Sequence, residues 1–90
     1  MRIGKHLLIK GRVQGVGFRY FIQNVAVRAG VVGYVMNLPD GCVEVFIQGN
    51  SEAVAKAESA ARLGPDGAKV ESVLVRNEES EKTYDSFVIR

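Results

Sequence analysis

The stretch of this chain able to do chemistry is Gly11-Arg12-Val13-Gln14-Gly15-Val16-Gly17-Phe18-Arg19. Gly15 and Gly17 let the backbone turn tightly and bring successive N–H groups toward one point. A helical pattern begins directly after them. It adds unpaired first-turn N–H groups and the positive end of a helix dipole. Arg19, in that first turn, adds a planar cation able to grip an oxyanion through two parallel hydrogen bonds. Gln14, Gly15, Val16, Gly17, Phe18 and Arg19 together describe a pocket for a phosphate-sized dianion. The same spacing also fits a plain strand-to-helix turn. No Gly-Lys-Ser/Thr follows, so this is not a P-loop, and the glycine spacing is not that of a dinucleotide-binding turn.

Other reactive residue types have simpler explanations. Gln14 stands at a loop start, where it serves equally as a ligand or as a cap for backbone groups. Asn37 fits the opening of a turn at Pro39-Asp40-Gly41. His6, at the start of a strand with no acidic neighbour in the sequence, reads as a surface residue. Cys42 has no adjacent His or Lys to lower its pKa and reads as inert. Asp40 belongs to the turn. Strand alternation puts Glu44 toward solvent or into an ion pair. Glu78, Glu79 and Glu81 read as a solvated acidic loop. No His, Cys, Asp or Glu cluster has metal-ligand spacing.

The elements around the loop follow from periodicity. Residues 5–13 alternate, with Leu7, Ile9, Gly11 and Val13 on one face, which is a half-buried strand with Leu8 as its exception. Phe18, Ile22, Val25, Ala26 and Ala29 recur at helical spacing, and Gly30 closes that helix. Residues 31–38 and 42–48 are strands joined by Leu38-Pro39-Asp40-Gly41, so they are antiparallel neighbours. Gly33 inside a strand predicts a bulge or the close approach of another group. Asn50 or Ser51 caps a second helix that runs to about Leu63 and buries Val54, Ala57 and Ala61. Gly64-Pro65 ends it. Residues 69–76 form a strand, and residues 86–90 a short last strand burying Phe87 and Ile89. The order β-α-β-β-α-β predicts an α+β, ferredoxin-like sandwich. Its antiparallel sheet has four to five strands, with both helices on one face.

The whole chain sets limits on these readings. Its 90 residues make a single domain, 1–90. The apolar fraction of 47% is ordinary for a globular protein, and no run is long enough to span a membrane. The first residues lack an apolar signal-peptide core, and one cysteine allows no internal disulfide, so a cytoplasmic protein is expected. A net charge of +2 is too small for a nucleic-acid-binding stripe. Nothing in the pattern predicts an obligate dimer, and a monomer is expected.

The 11–19 stretch resembles the signature of the acylphosphatases. So do Gly30-Val31-Val32-Gly33-Tyr34-Val35-Met36-Asn37-Leu38-Pro39-Asp40-Gly41-Cys42-Val43-Glu44 and the trailing Gln48-Gly49. Gly64-Pro65, Ala68-Lys69-Val70 and the ending Phe87-Val88-Ile89-Arg90 match later landmarks, so the resemblance covers essentially the whole chain. It implies hydrolysis of the carboxyl–phosphate bond of small acyl phosphates, without metal or other cofactor. Inorganic phosphate or another oxyanion would bind as product or inhibitor. It implies that Arg19, with the loop N–H groups, holds the phosphoryl group. It implies that Asn37 positions the attacking water. The chain departs from the family in the second helix, where larger apolar residues are common around Ala57, Ala60 and Ala61. Its start and end at family length favour a free-standing enzyme over a domain of a hydrogenase-maturation carbamoyltransferase.

Two other classes compete. A non-catalytic anion-binding or regulatory domain would use the same loop. An RNA-binding module shares the element order, and Gly17-Phe18-Arg19-Tyr20-Phe21 is superficially similar to its aromatic motif. Those aromatics fall at a helix start, however, and the strand that should carry them offers only Phe46.

Overall fold

A computed structural model describes residues 2–78 and 82–90. The elements run β1 (Arg2–Arg12), α1 (Phe18–Ala29), β2 (Val32–Asn37), β3 (Val43–Asn50), α2 (Ser51–Leu63), β4 (Lys69–Asn77) and β5 (Phe87–Ile89). They build one five-stranded sheet in the order β4-β1-β3-β2-β5. Leu7, Ile9, Val35, Val43, Val45 and Ile47 on one sheet face meet Phe18, Ile22 and Ala26 of α1 and Val54, Ala57 and Ala61 of α2 in a common core. Small side chains on α2 bury little area each, but they cost little entropy in a helix.

β1 pairs antiparallel with β3 and β4, and β2 antiparallel with β3. β5 departs from the antiparallel expectation and pairs parallel with β2. The cause is topological. β4 ends at the edge of the sheet where β1 and β2 begin, so a strand entered from there runs in their direction. Gln48, buried on the sheet face away from the helices, holds the incoming chain. Its Nε2 donates to the Lys82 carbonyl at 3.3 Å, and its Oε1 accepts from the Tyr84 N–H at 3.4 Å.

Gly33 sits where β2 and β3 come close, and a Cβ there would overlap the carbonyl oxygen of Phe46. That is the close approach; the bulge lies elsewhere, at Lys10/Gly11 between β1 and β4. Asn50 caps α2, its side-chain oxygen accepting from the Glu52 N–H at 2.9 Å. β1 starts earlier than alternation predicts, because Arg2 pairs with Asn50 at the end of β3.

Candidate active site

Val13, 1% exposed, anchors the end of β1 in the core, and the four residues after it turn the chain into α1. Gly15 and Gly17 have φ of 74° and 78°, a left-handed conformation that L side chains adopt only with strain. Gly17 is the residue before α1 and offers no side-chain cap; the first turn carries no acidic residue. The helix therefore presents its first N–H groups and its dipole uncompensated. Arg19 lies half-buried in that turn and forms no hydrogen bond or ion pair with a described residue. A cavity of about 120 Å³ is bordered by Val13, Gly15, Gly17, Phe18, Arg19, Tyr20 and Asn37.

Asn37 reaches this cavity from another element. It is the last residue of β2, paired with Val43 of β3. The turn beyond it is tightly braced. Leu38 N–H donates to the Cys42 carbonyl at 2.9 Å, and Gly41 N–H donates to the Leu38 carbonyl at 3.1 Å. Cys42 N–H donates to Asp40 Oδ1 at 3.0 Å, and this bond holds the Asp40 carboxyl below the usual carboxylate range. The Asn37 side-chain oxygen is buried without a hydrogen-bond partner. An orphaned acceptor of this kind costs about 1–3 kcal/mol unless a ligand or water supplies a donor.

The geometry thus gathers Gly15, Gly17, Phe18, Arg19 and Asn37. Two of the expected loop residues keep their side chains out of the cavity. The Val16 side chain is half-buried and packs against the core. Gln14 does not offer its side chain to the cavity. Its Nε2 donates to the Leu38 carbonyl at 2.8 Å and to the Cys42 carbonyl at 2.9 Å. Both amide hydrogens are spent, and the remaining side-chain oxygen is an acceptor that an anion would avoid. The capping role open to Gln14 in the sequence is the one its side chain plays. Val13 and Tyr20 border the cavity without being among the binding residues expected from the sequence. The signal for Tyr20 was its place beside Arg19, off the apolar stripe of α1.

The other candidates lie outside this cavity. His6 is not a simple surface residue: its side chain is half-buried, with Nε2 3.6 Å from Glu44 Oε2. Its acidic partner is distant in sequence and adjacent across the sheet. Tyr34 Oη donates to the same carboxylate at 2.6 Å, and burial, then that bond, push the phenol above its ordinary pKa. Cys42 is buried, and burial raises its thiol pKa. Phe46 is 1% exposed, packed 5.4 Å from the Tyr84 ring and 6.1 Å from Tyr34, so it offers no surface for a base to stack on. Glu78 pairs with Arg76 at 3.6 Å; Glu79 and Glu81 lie outside the described residues. Among the described residues, no three His, Cys, Asp or Glu side chains converge on a metal-sized site, and no helix is long and apolar enough to cross a membrane.

Comparison with known proteins gives a consistent result. The family model described as acylphosphatase matches residues 5–89. The acylphosphatase of Pyrobaculum islandicum is 48% identical over 85 residues, covering 93% of this chain and 90% of that protein. The acylphosphatase of Archaeoglobus fulgidus is 44% identical over 87 residues, covering 97% of both. The crystal structure of acylphosphatase from Bacillus subtilis superposes with a TM-score of 0.94 at 34% identity, covering 98% of each chain.

Proposed function

This chain belongs to the acylphosphatase family, hydrolases of the carboxyl–phosphate bond in small acyl phosphates, and from that premise we propose how its residues divide the work. Arg19 grips two phosphoryl oxygens, and the uncapped N–H groups from Gly15 to Arg19 hold the phosphoryl group from the loop side. Asn37 orients the attacking water. The observation that carries this reading is that Arg19, whose guanidinium is uncommitted, and Asn37, whose buried amide oxygen has no partner, border the same small cavity.

The chemistry asks for little more. Acyl phosphates are mixed anhydrides whose leaving carboxylate has a conjugate acid of pKa about 4, so it departs without a general acid. Phosphoryl transfer depends on charge stabilisation and in-line alignment. The loop and Arg19 supply the first. Asn37 supplies the second, because an amide both accepts from and donates to water without being a strong base. A phosphoryl oxygen of the substrate takes the water's proton. Inorganic phosphate leaves from the same loop and inhibits by rebinding there.

The reading extends to a monomeric, cytoplasmic, single-domain protein. One core and one sheet support the single domain. Among the described residues, the exposed large apolar side chains are spread over four elements, Tyr20 and Val27 on α1, Leu63 on α2, Leu74 on β4 and Val88 on β5, which supports a monomer. The lone cysteine supports a reducing compartment.

The test is phosphate release from acetyl and benzoyl phosphate in EDTA, with Arg19→Ala and Asn37→Ala beside the parent and folding checked by circular dichroism. Release by the parent that is lost in both folded variants is expected. A folded parent without activity would leave a non-catalytic anion-binding domain.

A further inference from the structure

We propose that Gln14 is a positioning residue that clamps the phosphate-binding loop to the strand end carrying Asn37. The inference rests on the division of roles given above. The two halves of the site are not neighbours in the sheet: the loop leaves β1, Asn37 ends β2, and β3 lies between them. The ladder alone therefore relates the loop to Asn37 only through a third strand. Gln14 bridges the gap directly. One amide nitrogen donates to the Leu38 carbonyl, in the residue following Asn37, and to the Cys42 carbonyl across the neck of the turn. The Cys42 carbonyl also accepts from Leu38 N–H, so the clamp closes on the bond that fixes the turn. Any shift of the loop is thereby coupled to a shift of Asn37.

The residue type suits this task. Two donors on one terminal atom are needed, and two carbonyls are what they meet. Glutamate at 14 would aim acceptors at acceptors. Asparagine is one methylene too short to span from the same backbone. The phosphoryl group needs nothing from this side chain. Its loss should leave phosphate affinity intact and damage the placement of water, where a displacement of about 1 Å costs on the order of 10²-fold.

The experiment measures kcat, KM for benzoyl phosphate and the inhibition constant of inorganic phosphate. It uses the parent, Gln14→Ala, Asn37→Ala and the double variant, with thermal unfolding of each. Gln14→Met joins the set because it keeps length and packing while removing both donors. Both Gln14 variants are expected to lose about 10–100-fold in kcat, with phosphate inhibition changed less than about twofold. In the Asn37→Ala background, removing Gln14 should cost little further, because the residue it positions is already gone. Phosphate affinity falling in step with kcat would overturn the inference in favour of a ligand role. Full additivity, or a lowered melting temperature with unchanged kcat, would also overturn it. An inactive Asn37→Ala beside fully active Gln14 variants would sink the clamp alone. An Asn37→Ala variant with parental kcat would overturn the role of Asn37 itself.

Discussion

Arg19 and Asn37 border one cavity from two separate elements, the first turn of α1 and the last residue of β2. Each brings a group that no described residue satisfies: a guanidinium in one case, an amide oxygen in the other. A cation held ready beside uncapped helix N–H groups is a preorganised anion site.

Arg19→Ala should therefore lower kcat/KM for benzoyl phosphate by at least 10²–10³-fold, about 3–4 kcal/mol. Inhibition by inorganic phosphate should weaken with it. Arg19→Lys should not restore the rate, since a point charge cannot make two parallel hydrogen bonds. Steady-state kinetics on the three proteins decide this, and near-parental activity in the lysine variant would show that charge alone is enough.

The two kinds of glycine should behave differently on substitution. A Cβ on Gly17 meets nothing within 4 Å, so Gly17→Ala bears only the left-handed φ of 78°, about 1–2 kcal/mol. A Cβ on Gly33 would overlap the Phe46 carbonyl and force β2 from β3. Gly33→Ala should cost about 3 kcal/mol or leave the protein unfolded. Urea denaturation midpoints give the order, and a Gly33→Ala protein as stable as Gly17→Ala would contradict it.

Much of this was legible along the chain because it is local. Alternation at Leu7 and Ile9, the helical recurrence of Phe18, Ile22 and Ala26, and the turn at Pro39-Asp40-Gly41 each report a backbone period or a φ requirement. The direction of β5 was not legible, because Phe87-Val88-Ile89 looks the same in a parallel or antiparallel pair. It depends on where β4 ends. The partners of Gln14 and of His6 were hidden for the same reason: Leu38, Cys42 and Glu44 are brought near by strand pairing, not by spacing. Arg19 announced itself by its place after two glycines. Asn37 did not; by residue type alone it was a turn former, and only the family resemblance marked it for water.

Cys42 gives a direct measure of how closed the structure is. Its side chain belongs to a residue only 6% exposed, and burial raises the thiol pKa, so little thiolate is available near neutral pH. A thiol reagent at pH 8 should leave the folded protein unlabelled and react fully in denaturing urea. Labelling rates that follow unfolding are expected. Rapid labelling of the native protein would mean that the turn leading into β3 opens locally.

Glu58 links stability to acid pH. Its carboxylate accepts from Lys5 Nζ at 2.7 Å, tying α2 to β1, and it also bonds Arg62 one helical turn away. The Lys5 bond, ahead of the Arg62 bond, lowers its pKa below the ordinary 4.5. In the window from that value down to the lowered one, the unfolded chain binds the proton that the folded chain still excludes. Stability is therefore complete above about pH 4.5 and falls as pH falls through the folded pKa. Glu58→Gln should cost about 1 kcal/mol at pH 7, a drop of roughly 4–8 °C in melting temperature, with hydrolysis unchanged. The loss should shrink on acidification, so the stability curves of parent and variant converge as pH falls below 4.5. Unfolding free energies measured from pH 7 to pH 3 test the sign: a gap that widened toward low pH would mean that Glu58 is not the group being protonated.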